Sequence, residues 1–137
     1  YFFFQDTILN NIFFNRKRKL SEYKKLFNLI ISFKLVDYKR DIVKFLRTEF
    51  GKNFNLSVGQ KQRLSILRAI MYRPQFLILD EPSSAIDSKN LEILKNEIKK
   101  VSSEMIILIS THDENLLNIF DKIYTIKNKD LVDASST

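Results

Sequence analysis

Two stretches decide the fold of this chain: Leu56–Arg63, with the sequence LSVGQKQR, and Phe76–Glu81, with the sequence FLILDE. Between them, apolar residues recur at helical spacing until Pro74, which cannot continue a helix. The second stretch is continuously apolar up to its two final acids, as is typical of a strand buried on both faces of a parallel sheet. The order predicts a helix over residues 57–71 that leads into a strand over residues 76–79. On the helix, Lys61, Arg63 and Arg68 are expected to face solvent.

Other periodicities predict further elements. The strand-like runs are Tyr1–Phe4, Met105–Ile109, Ile123–Ile126 and Leu131–Val132, the last two forming a hairpin around Asn128-Lys129. The helical patterns are one that begins at Ser21 as N-cap, and then Val36–Phe45, Leu91–Lys100 and Glu114–Phe120. Strands that alternate with helices indicate an α/β fold with a mainly parallel sheet.

Composition narrows the possible classes of protein. The chain has 137 residues, 45% of them hydrophobic, which is enough to supply a core. It contains no cysteine, so disulfides and thiolate metal sites are excluded. Its longest apolar runs fall far short of the ~20 residues of a membrane helix. It opens without Met or a basic leader, so we expect it to be the later part of a longer chain.

Positive charge is concentrated in one stretch of the sequence. Arg16–Lys52 contains twelve Lys or Arg and four Asp or Glu, a net charge of +8 within a total of +7. Such a stretch is compatible with a nucleic acid partner, with an anionic membrane surface and with an ordinary solvated helical face. The sequence leaves these three alternatives open.

Two acids at the end of the predicted strand and the start of the preceding helix are together suited to bind phosphate. Asp80 and Glu81 end the predicted strand at the carboxyl edge of the sheet, where α/β proteins bind ligands. Asp80 can hold Mg²⁺, which takes carboxylate, water and phosphate oxygens. Glu81 is placed to polarise a water that attacks a γ-phosphate. At the start of the preceding helix, the backbone N–H groups at Ser57 and Gly59 point at an anion, and Gln60 adds an amide.

These motifs make the chain resemble the nucleotide-binding domain of an exporter of the ATP-binding cassette (ABC) family. Leu56–Gln60 resembles the signature motif, Phe76–Glu81 the Walker B strand and Pro82–Asp87 the D-loop. In the family the signature binds the γ-phosphate of ATP held by a second subunit. The nucleotide-binding residues that the resemblance implies are Ser57, Val58, Gly59, Gln60 and Asp87. The family has glycine where this chain has Val58, and the β-branched side chain restricts the turn.

Two further residues are assigned through the resemblance. Gln5 takes the Q-loop position, which links Mg²⁺ and the attacking water to the transmembrane partner. His112, in the sequence ISTHD, takes the switch-histidine position, where its imidazole bonds the γ-phosphate and orients the water. Asp113 is a candidate cap for the next helix. The implied catalytic residues are Glu81, His112 and Gln5, and the implied Mg²⁺ ligands are Asp80 and Gln5.

The fold that the resemblance implies is a partial P-loop NTPase (RecA-like) core of the α/β class with an inserted α-helical subdomain. Residues 1–14 would be the Q-loop segment, 15–55 the helical subdomain, and 56–137 the C-terminal part of the core. A phosphate-binding loop needs Gly-x-x-x-x-Gly-Lys-Ser/Thr, but the only glycines are Gly51 and Gly59. We therefore expect the Walker A strand and the N-terminal β-subdomain of the family to be absent.

The implied function is ATP binding and hydrolysis coupled to transmembrane export, with ATP and Mg²⁺ as ligands. The implied partners are a second nucleotide-binding domain and a transmembrane domain, at the cytoplasmic face of the inner or plasma membrane. The resemblance predicts no nucleic acid partner, and association with the membrane through the transmembrane partner. Without Walker A, we expect the chain alone to be inactive.

Three alternatives remain: an inactive truncated ABC remnant, an ABC ATPase of DNA repair, and a translation-factor cassette. The 51 residues from Gln5 to Leu56 contain no sustained heptads, which disfavours the coiled coils of the DNA-repair class. Ser84–Asp87 lacks the Asn and His that are usual in the D-loop of translation factors.

Overall fold

The computed structural model of the chain describes residues 2–14, 16–51 and 54–134. Its helices are α1 (Ile8–Phe13), α2 (Leu20–Ser32), α3 (Ile42–Arg47), α4 (Val58–Tyr72), α5 (Ser88–Val101) and α6 (Glu114–Leu117), and a 3₁₀ turn over Lys39–Asp41 precedes α3. Its strands are β1 (Phe76–Asp80), β2 (Ile106–Ser110), β3 (Tyr124–Lys127) and β4 (Asp130–Asp133). The order α4, β1, α5, β2 confirms the predicted α/β class. No helix within these ranges is both long and apolar enough to span a bilayer.

Parallel pairing brings the ends of two strands to one edge. β1 and β2 pair in parallel, with Phe76 opposite Ile106 and Asp80 opposite Ser110. α5 makes the crossover between them, as parallel strands require. The predicted hairpin is confirmed, since β3 and β4 pair antiparallel around a turn in which Asn128 and Lys129 both have positive φ.

Only one face of the parallel sheet is covered by the described residues. Leu77 and Leu79 are 5% and 8% exposed, whereas Ile78 between them is 64% exposed. The exposed side chains of this face are Phe76, Ile78, Ile106 and Leu108. The prediction of strands buried on both faces is therefore wrong for this chain. A continuous apolar pattern is typical of a sheet that is covered on both faces. The described residues cover one face only.

Helix α4 lies at the centre of the packing. It contacts both α1 and α2, and its buried residues include Leu64, Leu67 and Ile70. These side chains belong to one apolar cluster that also takes in Leu26 of α2 and Leu94 of α5. The cluster fixes the start of α4 relative to the end of β1, because both elements contribute to the same core.

The end of α2 differs from the prediction of a second helical pattern over Val36–Phe45. Lys34 adopts a left-handed conformation with φ 47°, and its N–H donates to the carbonyl of Ile31. The N–H of Leu35 donates to the carbonyl of Ile30. These two bonds form a Schellman motif, which stops a helix even without glycine. The chain then bends, and helix resumes only at the 3₁₀ turn and α3.

Three other local predictions are wrong. Tyr1 lies outside the described residues, and Phe2–Phe4 forms no strand, because the Asn11 side chain bonds the backbone of Phe4. Ser21 is not an N-cap, since α2 begins one residue earlier and Glu22 accepts from the N–H of Lys19. The last predicted helix is shorter than expected and ends at Leu117.

The uneven burial of β1 predicts that alanine substitution lowers stability much more at Leu77 than at the adjacent Ile78. We expect Leu77→Ala to cost about 2–4 kcal/mol of unfolding free energy, because it leaves a cavity in the core. Ile78→Ala removes a solvent-exposed side chain and should stay within about 1 kcal/mol of the unmodified chain. Urea unfolding followed by circular dichroism measures both. An equal loss at Ile78 would show that the outer face of the sheet is covered.

Candidate functional site

The start of α4 is organised by a capping box. Ser57 is the N-cap, and its Oγ accepts a hydrogen bond of 3.2 Å from the N–H of Gln60. In return, Oε1 of Gln60 accepts one of 2.9 Å from the N–H of Ser57. The first-turn donors without an intrahelical acceptor are then the N–H groups of Val58 and Gly59. The predicted signature residues therefore present backbone donors at the helix start.

Gly59 is required by a close backbone approach. A Cβ atom added at this position would lie 2.4 Å from the carbonyl oxygen of Ala85, well inside van der Waals contact. Ala85 belongs to Pro82–Asp87, the predicted D-loop. The glycine therefore allows this loop to pack directly onto the first turn of α4.

The side chain of Gln62 holds the same loop in place. No role for this residue was predicted from the sequence. It is 1% exposed. Its Nε2 donates to the carbonyl of Glu81 at 2.9 Å, and its Oε1 accepts from the N–H of Ala85 at 3.2 Å. The side-chain amide of Gln62 thus forms hydrogen bonds with the backbone at both ends of the five-residue segment 81–85, which begins at the predicted catalytic residue Glu81. The available signal was a glutamine one turn before Ile66, on a face that is otherwise apolar.

Arg63 was expected to face solvent, and that prediction is wrong, since it is 7% exposed. Its Nε donates at 2.9 Å to the carbonyl of Phe33, at the C-cap of α2. The carbonyls of a last helical turn lack helical partners, so this bond satisfies one of them. Burial lowers the pKa of the Arg63 guanidinium, and the negative charge of Asp87 partly offsets that shift. Arg63 therefore ties α4 to the end of α2.

The structure brings Glu81 and His112 together at the carboxyl edge of the sheet. His112 Nδ1 lies 2.8 Å from Glu81 Oε1. Glu81 adopts φ 45°, and its N–H donates to the carbonyl of Ser110 at 3.0 Å. The other carboxylate oxygen, Oε2, is buried and has no hydrogen-bond partner among the described residues. One oxygen of the Glu81 carboxylate thus contacts His112, while the other is shielded from solvent and lacks a hydrogen-bond partner among the described residues.

Asp80 lies beside this pair and is exposed. It accepts a hydrogen bond from the hydroxyl of Ser110, its partner across the strand register. No role was predicted for Ser110 from the sequence. The structure gives it two, since its hydroxyl orients Asp80 and its carbonyl holds the backbone of Glu81.

Two other predicted residues are helix caps. Asp87 caps α5 by accepting from the N–H of Asn90 at 2.9 Å, and this bond is the main reason that its pKa is lowered. Asp113 caps α6, which confirms the expectation for that residue. A hydrogen bond from the Asn115 side chain is the main cause of the lowered pKa of Asp113. Both carboxylates therefore stay ionised, and each fixes the helix that follows a site loop.

Gln5 lies apart from these contacts. It is exposed, and its Cγ would lie 3.5 Å from a Cβ added at Gly51. No hydrogen bond joins it to Asp80, Glu81 or His112 in residues 2–14, 16–51 and 54–134, so its assignment rests on the resemblance. The loop that carries it is held by Asn11, whose Nδ2 donates to the carbonyls of Phe4, Asp6 and Thr7. Asn11 is buried and was missed, although it is a polar residue between apolar positions of α1.

Comparison with known proteins gives the same family. A model of the ABC transporter family matches residues 3–84. A Rickettsia typhi protein, named as an export ATP-binding/permease protein, is 36% identical over 135 residues, which is 97% of this chain and 23% of that protein. An ATP-dependent lipid A-core flippase of Pseudoalteromonas translucida is 29% identical over 132 residues, 96% of this chain and 22% of the relative. The chain thus spans about a quarter of the length of these curated relatives.

A solved structure supports the fold. The chain matches a bacterial Atm1-family ABC exporter with ATP bound, with a TM-score of 0.77 and 24% identity. The match covers 95% of this chain and 23% of that one. It shows that the α/β arrangement is part of the P-loop NTPase fold of this family.

Because Gly59 packs against Ala85, we expect alanine at position 59 to lower stability, the reverse of its usual effect within a helix. An alanine normally stabilises a helix by about 1 kcal/mol relative to glycine. Gly59→Ala should instead destabilise the chain by about 1–3 kcal/mol, because the added methyl group displaces the Ala85 carbonyl. Urea unfolding measures the change. Ser65→Ala, on the same helix, is the control and should be neutral or stabilising, since its hydroxyl is buried without a partner. Stabilisation by Gly59→Ala would refute the close packing.

Proposed function

The chain belongs to the ABC transporter family, and we propose that it is the signature-bearing part of an exporter's ATP-binding domain, which couples ATP hydrolysis to export. The observation that carries the proposal is the Glu81–His112 pair at 2.8 Å. It stands at the sheet edge where α/β proteins hold ligands. The hydrogen bonds of Gln62 join the backbone of Glu81 to the helix that opens with the signature.

Glu81 is the proposed general base. Its Oε1 faces His112, and its buried Oε2 has no hydrogen-bond partner among the described residues, so its acceptor capacity is unused. A general base acts when it lies within hydrogen-bond reach of the proton that it removes. His112 is 86% exposed at its side chain, so its Nε2 is free to reach a phosphate oxygen while Nδ1 keeps Glu81 in place. This division of roles needs no residue beyond the two in contact.

Asp80 is the proposed Mg²⁺ ligand. Among the described residues, no group of three or more His, Cys, Asp or Glu side chains is arranged to hold a metal. This fits Mg²⁺, which is usually bound by one or two carboxylates together with substrate phosphates and waters. The ion would neutralise negative charge on the transferred phosphate. The exposed Asp80 carboxylate, oriented by Ser110, suits that task, and a share for Gln5 rests on the resemblance alone.

The start of α4 is the proposed contact for the γ-phosphate of ATP held by a second nucleotide-binding subunit. The donors would be the N–H groups of Val58 and Gly59, together with the positive end of the helix. Valine in place of the family's glycine keeps the backbone donor. Val58 is the first residue of α4, and its side chain is exposed to solvent. Ser57 and Gln60 hold the donors in place through the capping box, and Asp87 fixes the loop beside them.

The partners and the location are part of the same proposal. Two subunits would sandwich ATP about a two-fold axis. Residues 15–55 would form the helical subdomain that contacts a transmembrane domain on the cytoplasmic side, between the core segments 1–14 and 56–137.

The absence of Walker A leads to a direct test of ATP hydrolysis. The chain alone should release no phosphate above the background of a Glu81→Gln variant. Fusion to an upstream segment that supplies a glycine-rich phosphate loop should confer ATP binding and hydrolysis. In the fused protein, Glu81→Gln should retain binding and lower the rate by roughly 10²–10⁴-fold, as expected on losing a general base. Binding without hydrolysis in the unmodified fusion would contradict the proposed role of Glu81, and no gain of ATP binding would contradict the proposed ATP-binding domain.

A further inference from the structure

An apolar groove with a lysine rim lies on the outer side of α2. Its volume is about 430 Å³, and its lining residues are Leu20, Tyr23, Lys24, Phe27, Asn28, Ile31, Lys39 and Ile42. The positions along α2 recur at three- and four-residue spacing, so they form one stripe beside the buried Leu26 and Ile30, and Phe27 and Ile31 of this stripe also pack against the core. The 3₁₀ turn and α3 close the other side of the groove through Lys39 and Ile42.

We propose that this groove is a docking site for an anionic phospholipid surface. The apolar stripe would take up acyl chain, and the lysines would meet the phosphates of the headgroups. Leu20, at the open end of the groove, is 87% exposed and contributes little to the core in this conformation. Insertion of such a side chain into the acyl region is favourable because it removes apolar surface from water.

Charge around the groove is unbalanced. Lys24 and Lys39 are exposed, and neither forms an ion pair with a carboxylate in the part of the chain that the structure describes. Further exposed cations lie on the same two helical segments and on the turns beside them: Lys17, Lys19, Lys34, Arg40, Lys44 and Arg47. The acids of this region are Glu22, Asp37, Asp41 and Glu49. Glu22 pairs with Arg16, which leaves the surface strongly basic.

The form of this surface favours a membrane over other anionic partners. Its cations are dispersed over a wide area, which suits a leaflet of many headgroups. Most of them are lysines, which act as point charges on flexible stems and do not present the planar fork of arginine. Long stems also let the ammonium groups reach the headgroups while their methylenes lie on apolar surface. A nucleic acid backbone would leave the apolar side chains of the groove without a contact.

Vesicle co-sedimentation with this chain tests the proposal, and it needs neither ATP nor a partner subunit. The chain should sediment with vesicles of phosphatidylcholine and phosphatidylglycerol, and remain in solution with phosphatidylcholine alone. Lys24→Gln/Lys39→Gln should weaken partitioning by roughly thirtyfold, given about a fivefold effect per lysine near a charged leaflet. Leu20→Ser should weaken it independently of salt, since its contribution is apolar.

Matched variants separate this site from general charge attraction. Lys99→Gln/Lys127→Gln removes the same net charge from exposed positions on α5 and β3, and should bind like the unmodified chain. Leu131→Ser is the control for Leu20→Ser, because Leu131 is also largely exposed. Circular dichroism verifies that each variant is folded.

Three results would overturn the proposal: no binding to anionic vesicles, equal loss in the control variants, or lysine-dependent binding of an acidic amphipathic peptide without binding of vesicles. The last result would identify a protein partner instead. Because the assay contains no nucleotide, each of these results leaves the proposed ATPase role untouched.

Discussion

The close approach of the Ala85 carbonyl to Gly59 is the constraint on which the site depends. A loop can pack this tightly on a helix only where the helix has no Cβ. Gln62, one turn further along α4, then bonds both ends of the segment from Glu81 to Ala85. The backbone position of Glu81, the proposed general base, is thereby set by α4 as well as by the parallel sheet. The sheet contributes through Ser110 of β2, whose carbonyl accepts a hydrogen bond from the N–H of Glu81.

Helix α4 also connects the site to the rest of the chain. Arg63 reaches the last turn of α2, and Arg68 donates to the carbonyl of Phe2 at 3.0 Å. The Arg68 guanidinium also lies over the ring of Phe3. A single helix therefore joins the N-terminal segment, the basic helical region and the proposed catalytic edge. Through these side chains and Gln62, α2 and the N-terminal segment are connected to the backbone of Glu81.

The parts of the fold that depend on local pattern could be predicted from the sequence. The apolar spacing of α4 and the run that forms β1 gave correct elements, and the acids at the end of β1 lie where an α/β sheet places them. Asp80 and Glu81 were proposed because they end a strand, and His112 was assigned through the family resemblance. Gln62, Arg63 and Asn11 were missed because their roles come from tertiary contacts with Ala85, Phe33 and Phe4. A polar residue on a helix is normally exposed. Burial of Gln62 and Arg63 depends on backbone groups distant in sequence, and burial of Asn11 depends on the fold of the segment before α1. The outer face of β1 was mispredicted for the opposite reason: its pattern matches a two-layered environment that the described residues supply on one side only.

Hydrogen exchange at the Ala85 amide tests the central claim most directly. This N–H donates to Gln62 Oε1, so the account predicts that it is protected in the unmodified chain. In Gln62→Met, which keeps the volume and removes the acceptor, Ala85 should exchange roughly tenfold faster, as expected on losing a hydrogen bond worth about 1.4 kcal/mol. The amide of Leu108, in the middle of the parallel ladder, should keep its rate. Unchanged exchange at Ala85 would contradict the claim that α4 holds the loop that follows Glu81.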